Sequence, residues 1–371
     1  MNTRVASHGS TFEIDQQVCA LLQTERDGDE EDGTDMDSNQ KTNPSKGAIW
    51  KARSQILLAA VLYGTSFPLT KVIDDHIPLG PSLALRFGLA TLVTLPWLWE
   101  VPALDWSTSR RATIQGMGVG VWVSIGFLAQ AIGIVTTQAN KVWNYLENVT
   151  MVEHLLDSFA FLTFPKLEAA FFCSLYVVVV PFLDRLIGIS LSRNQIIGAF
   201  MSVFGVGLLS SSGGSISFES GDVWSLIQPV AFGIGYWRTE HVIGRFPTEV
   251  NRIATAELLS CFILALVYAI ISCSSSDDVP TTMQLFEWFS NPQIVIALLW
   301  CGIITTAFSA YLEAAAMKTI SASETTLLIS SEPIWACLFA FFLVGEQLDP
   351  IGMVGAIFIL GACVVSLCSS S

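Results

Sequence analysis

The sequence predicts an all-α integral membrane protein with ten transmembrane helices, arranged as two inverted five-helix repeats. Three observations predict this. First, apolar runs of the length a helix needs to cross hydrocarbon follow one another, separated by short polar gaps. Second, charged residues make up only 13% of the 371 residues and mean hydropathy is +0.56, whereas soluble domains carry about a quarter charged residues. Third, the end of the first half echoes the end of the second. Gly198-Ala-Phe-Met-Ser-Val-Phe-Gly205 closes one and Gly355-Ala-Ile-Phe-Ile-Leu-Gly361 the other. With five spans in each half, the second copy enters the membrane upside down. A membrane barrel would need alternation of period two, and the runs lack it.

In chain order, residues 1–49 read as a disordered acidic cytoplasmic tail. Asp27, Asp29, Glu30, Glu31, Asp32, Asp35 and Asp37 lie there among Gly, Ser and Thr, a composition that buries no core. The tail is too acidic for a transit peptide and has no apolar signal region. The first repeat, 50–212, holds spans at 52–74, 80–98, 112–132, 169–188 and 194–211. The second, 213–371, holds spans at 223–243, 249–272, 293–314, 322–346 and 351–368. The eight cysteines form no Cys-x-x-Cys pair and the four histidines show no ligand spacing, so neither metal nor cofactor is expected.

Loop charges set the expected orientation. With the amino terminus inside, Lys46, Lys51, Arg53, Arg110, Arg111, Arg185, Arg193, Arg245, Arg252 and Lys318 fall on the cytoplasmic side. Asp74, Asp75, Glu219, Asp222, Asp277, Asp278 and Asp349 fall outside. Basic residues favour short cytoplasmic loops, so both termini are expected in the cytoplasm, in the plasma membrane or an endomembrane.

Several stretches resemble one family in order and spacing. The first half reads Tyr63-Gly-Thr-Ser-Phe-Pro-Leu-Thr-Lys71, followed by Pro81 and Arg86. The second ends Ala322-Ser-Glu-Thr-Thr-Leu-Leu-Ile-Ser-Ser-Glu-Pro333, then Leu343-Val-Gly-Glu346 and Gly355-Ala356. Over residues 52 to 368 this is similar to the EamA family of the drug/metabolite transporter superfamily, which is built from two five-helix repeats. The resemblance implies a carrier of the general EamA type and gives Arg86 and Glu346 structural positions at helix ends.

One departure from the family pattern is large. Thr136-Thr-Gln-Ala-Asn-Lys141 resembles the start of the fourth span, and its continuation resumes at Ala169. Residues 142–168 therefore read as an insertion. Its length, 27 residues, is a multiple of three, so a gene-model artefact and a genuine interfacial segment both stay open.

Charges held in hydrocarbon need a reason. Lys71, Arg86, Arg238, Glu240, Glu257, Glu313, Glu324 and Glu346 all have interfacial explanations by position. Glu332 falls mid-span, directly before Pro333, and proline frees a backbone carbonyl one turn earlier. A broken helix with a carboxylate at mid-depth suits a proton or ion coupling site; the structural alternative is a buried, hydrogen-bonded packing group. A solute cavity is expected from Tyr63, Ser66, Trp122, Gln130, Asn140, Tyr236, Trp237, Tyr311 and Ser331, with packing or interfacial anchoring as the alternative for the aromatics. Gly116 and Gly120 form a small-xxx-small face for close helix approach.

These features imply a secondary transporter of a small organic metabolite, working by alternating access, proton-coupled or exchanging. The alternative is a non-transporting scaffold or receptor on the same fold. The absence of a phosphate-binding Gly-rich loop argues against direct ATP use, and no catalytic constellation suggests an enzyme. The expected partners are a small-molecule solute and the lipid bilayer, with a homodimer open and no nucleic acid.

Overall fold

The computed structural model describes residues 45–74, 76–100, 105–148, 175–188, 191–211, 220–276, 281–344 and 350–368. The chain divides into Met1–Pro44 and Ser45–Ser371, and all described residues lie in the second unit. Residues 1–44 of the expected tail, the segment 149–168 and Glu346 lie outside them, whereas 46–49, read from the sequence as the end of the disordered tail, already belong to the first helix. Among the described residues every regular element is helical.

Helix α1 spans Lys46–Asp74, and α2, Leu79–Thr94, runs into a 3-10 helix at Leu95–Trp99. Helix α3 covers Trp106–Asn148, α4 Tyr176–Leu186 and α5 Arg193–Ser211. Helix α6, Ser220–Arg245, opens the second half, followed by α7, Val250–Ser276, and the short α8, Thr282–Ser290. Three pieces then run on without a gap: α9 at Pro292–Leu299, a π-helix at Trp300–Phe308 and α10 at Ser309–Ala316. Helices α11, Ala322–Ile329, α12, Glu332–Val344, and α13, Pro350–Cys368, complete the chain.

Among the described residues four stretches are long and apolar enough to cross a membrane: Leu79–Trp99, Trp106–Gly133, Val250–Ser274 and Pro292–Ala316. Exposed Phe200, Phe204, Ile270, Ile271, Ile296 and Ile357 ring the helix bundle, the side-chain distribution of a protein whose solvent is lipid.

Helix α3 differs from expectation. The sequence reading ended span three at residue 132 and opened span four at Thr136, whereas one helix continues through Asn148. Between 133 and 148 the chain has a single glycine and no proline, so nothing local stops the helix. Helix α8 was not expected at all, although its start is legible. Thr281 Oγ1 accepts from the Gln284 backbone N–H, and Gln284 Oε1 accepts from the Thr281 backbone N–H, a capping box readable as Thr-x-x-Gln. Asn291 then caps α9, with Pro292 as its first residue, where a missing N–H costs nothing.

The core is several apolar clusters rather than one. Helix α3 packs on α6 and α7, α2 on α7 and the π-helix, α1 on α10 and α12, α4 on α6, and α5 on α13. Two glycines set the closest approaches. A Cβ on Gly120 would lie 2.4 Å from the Glu257 carbonyl oxygen of α7. One on Gly205 would lie 2.7 Å from the Gly355 carbonyl oxygen. The two echoing segments therefore face each other, backbone to backbone. Buried Arg252 opens α7 by donating from Nε to Glu249 Oε2 at 2.8 Å, from Nη2 to the Glu100 carbonyl at 2.6 Å, and to the Leu98 carbonyl. A cation thereby satisfies the carbonyls left open at the end of the 3-10 helix.

Candidate functional site

The helix carrying Glu332 is interrupted where the proline requires it. Ser330 and Ser331 form a turn between α11 and α12. The Ser331 N–H bonds the Leu328 carbonyl at 3.2 Å and the Ile334 N–H bonds Ser331 at 3.0 Å. Pro333 has no N–H to offer Ile329, so the i to i−4 ladder stops there. Helix α12 restarts with Glu332 in its first turn, the end of a helix where a carboxylate is favoured.

A polar group of side chains converges inside the apolar bundle. The Tyr236 hydroxyl of α6 donates to Glu313 Oε1 of α10 at 3.3 Å, and Tyr63 of α1 lies near enough to act on the same carboxylate. Glu332 and Glu257 lie close enough to act on Glu313 as like charges, and Arg86 of α2 is the cation acting on Glu332. These side chains retain partial accessible surface while lying deep among surrounding atoms. That combination describes groups facing an internal space rather than lipid. Three carboxylates so placed need protons, cations or polar ligands to be stable in a low-dielectric surrounding.

At the bundle end that holds Arg53, the two halves are tied together. Arg53 Nε donates to Glu324 Oε1 at 2.7 Å, with side chains 4% and 15% exposed. Ser323 Oγ donates to Asp184 Oδ2 at 2.7 Å, and the Ala322 N–H donates to Glu240 Oε2 at 2.7 Å. The start of α11 is thus held by carboxylates of α4 and α6 as well as by its Ser321 cap.

The other expected site residues fall into three groups. Ser66 and Ser331 are buried and donate to the carbonyls of Tyr63 and Leu328 in their own turns, at 2.7 and 2.8 Å; both hydroxyls are spent locally. The Tyr311 ring packs on Trp97, centroids 5.5 Å apart, and on Phe308, the packing role weighed for it. The Trp237 indole N–H is buried with no partner among the described residues, its ring 4.3 Å from that of His241. Trp122 and Gln130 are half-buried on α3, and the Asn140 side chain lies outside the described residues.

Two members of the polar group were assigned to the interface by counting along the helices. Glu313 and Glu257 are instead interior. The signal for Glu313 was a polar stripe: Thr306, Ser309 and Glu313 are spaced three and four apart, one helix face. Gln228 is fully buried, and neither end of its amide has a partner among the described residues.

The chain is similar to known proteins in both halves, most clearly in the second. The family model of the EamA-like transporter family matches residues 219–368. An uncharacterized transporter of Archaeoglobus fulgidus is 22% identical over 313 residues, covering 84% of this chain and 83% of its own. The uncharacterized transporter YwfM of Bacillus subtilis is 33% identical over 89 residues, 24% of this chain and 30% of its own. A protein solved by crystallography shares the fold with a TM-score of 0.59 at 17% identity, over 85% of this chain and 96% of that one. The chain is a multi-pass integral membrane protein whose second half, residues 219–368, matches the EamA-like transporter family and which is similar over most of its length to an uncharacterized transporter.

Proposed function

We propose that this protein is a secondary transporter that moves a small organic metabolite by alternating access between two inverted five-helix repeats, residues 50–212 and 213–371, with 142–168 as an insertion in the first. The observation that carries the proposal is the convergence of Tyr63 and Arg86 from the first half with Tyr236, Glu257, Glu313 and Glu332 from the second. A site built jointly by two repeats is what a rocking carrier opens alternately to each side.

The packing pattern supports the repeat. Exchanging each helix with the one five spans later turns the α3–α6 contact into α1–α10, α3–α7 into α2–π-helix, and α1–α12 into α4–α6; α2–α7 and α5–α13 map onto themselves. Each of these contacts is present. With both termini in the cytoplasm, the Arg53–Glu324 pair and the Asp184 and Glu240 bonds to α11 close the cytoplasmic end. Glu332, at the helix break, is the coupling carboxylate. The transporter works in a plasma membrane or endomembrane, as a monomer or a homodimer.

The test is uptake into proteoliposomes of a labelled metabolite panel, with and without an imposed pH gradient, for the natural protein and Glu332→Gln. Saturable flux that responds to the gradient, and loses that response in Glu332→Gln, is the expected result. Flux with unchanged pH dependence in the variant removes Glu332 as the coupling group.

A further inference from the structure

Arg86 is a cation inside a membrane bundle, and such a group needs a counter-charge or a function. Its Nε donates to Thr306 Oγ1 of the π-helix at 2.8 Å. The guanidinium carbon lies 5.8 Å from the Phe87 ring centroid and 5.6 Å from that of Phe127, and these rings meet edge to face at 5.0 Å. No carboxylate lies within ion-pair distance of it among the described residues. Its terminal nitrogens are not among the sealed, unpartnered atoms. The residue is half-buried, and among the described residues only Nε of its guanidinium makes a hydrogen bond.

The π-helix explains why this guanidinium is held still. Thr305 and Thr306 both donate to the Cys301 carbonyl, at 3.0 and 2.7 Å. The second bond spans five residues, as the wider helix requires. With its proton committed there, Thr306 Oγ1 has only lone pairs left to present, and it accepts from Arg86. One edge of the fork is fixed and the other is left for a ligand, the arrangement that suits a planar carboxylate.

We propose that Arg86 is the anion-binding residue of the central site, and that the solute it serves is an organic monocarboxylate. This rests on the carrier reading above. The surrounding charged and titratable groups are Glu332 on α12, Glu313 on α10, Glu257 and Cys261 on α7 and Tyr63 on α1. Among the described residues of this group one cation, Arg86, stands with three carboxylates; with those carboxylates protonated a monoanion finds its partner in Arg86, whereas the second charge of a dianion finds none. Glu332 acts on Arg86 from beyond ion-pair distance, which leaves the ion-pair position at the guanidinium to a solute carboxylate. The rings of Phe87 and Phe127 supply an apolar wall for the body of the solute.

The experiment titrates purified full-length protein with 3-phenylpropionate, hexanoate and pyruvate, each against its primary amide, following tryptophan fluorescence. The same compounds are followed in proteoliposome uptake. At least one carboxylate is expected to bind saturably and its amide at least about tenfold more weakly, the weight of one charge-assisted pair. Arg86→Gln loses the preference. Thr306→Val, which keeps the charge and frees the fork, weakens carboxylate binding severalfold. Glu332→Gln tightens it, because a carboxylate that competes for Arg86 whenever it is ionised is gone; a purely structural Arg86–Glu332 pair predicts the opposite sign. If Arg86→Gln does not fold, the opposed signs of the Thr306 and Glu332 variants decide. Equal binding of acid and amide, carboxylate binding retained in Arg86→Gln, or no binding of any acid overturns the inference. Uptake of amides or of other solutes alone sinks it while leaving the carrier reading intact, whereas no flux of any solute from a broad panel removes both.

Discussion

Glu324→Gln is the most informative single change at the bundle end closed by Arg53. The pair is 2.7 Å long, with Arg53 4% and Glu324 15% exposed, and Arg53 Nη2 already lacks a partner among the described residues. Removing one partner of a fully buried pair costs about 3–5 kcal/mol, because the other charge is left uncompensated. The residual exposure of Glu324 brings this to about 2–3 kcal/mol. If the pair exists only while this end is closed, the whole penalty falls on the closed state. At 1.4 kcal/mol per decade, opening becomes roughly 30-fold or more favourable. The readout is maleimide labelling of a cysteine placed at Ala316, which is fully buried at the end of α10 beside Ala52 and Leu328, in a background with the native cysteines replaced by alanine. Labelling of Glu324→Gln is expected about 30-fold faster than in its parent. Arg53→Gln/Glu324→Gln should recover part of the difference, since no charge is left stranded. Labelling rates within twofold in all four members of the cycle would refute the reasoning: the pair would then be ornamental to closure.

Gly120→Ala places a Cβ against the backbone of α7, 2.4 Å from the Glu257 carbonyl oxygen, and should lower thermal stability in detergent by about 1–3 kcal/mol through helix displacement. Gly244→Ala, with nothing within 4 Å, should leave stability unchanged or raise it by about 0.5–1 kcal/mol; both are read by fluorescence-detected size exclusion after heating. Thr281→Ala removes the capping box of α8 at a cost of about 1 kcal/mol, seen as faster proteolysis around 281–290. At the start of α3, hydrogen bonds from the side chain and backbone of Thr108, then from Ser107, hold the exposed Asp105 carboxyl below the usual carboxylate range. A lowered value in the folded protein means that this cap contributes above the unfolded-state value and is lost as pH falls through the lowered one. Acid should therefore loosen the start of α3 in the natural protein but not in Asp105→Asn, measured by hydrogen exchange at 106–110.

Much of the helical plan was legible because hydrocarbon leaves few alternatives to apolar helices. The helix break at Ser330–Ser331 followed from one proline, and a close helix approach at Gly116 and Gly120 from their spacing, but not that α7 is the partner. The continuity of α3 through Asn148 was hidden by the family pattern, which suggested a break where the local residues contain no breaker. The polar site was half legible. Tyr63, Tyr236 and Glu332 stood out as isolated polar groups in apolar runs. Glu257 and Glu313 were set at the interface by distance from helix ends, a one-dimensional measure that takes no account of which face of the helix meets a neighbour. The role of Thr306 was beyond the sequence, because a π-helix shifts the register of its face and nothing in Trp300–Phe308 announces one.

The most direct test of the central claim is counterflow: proteoliposomes loaded with unlabelled solute from the metabolite panel, with entry of the labelled solute followed against its own gradient. A carrier with one alternately exposed site gives saturable, transient accumulation of at least one small organic solute, diminished in Arg86→Gln. A correctly folded protein that moves nothing from the panel, or passes solutes without saturation, would contradict it.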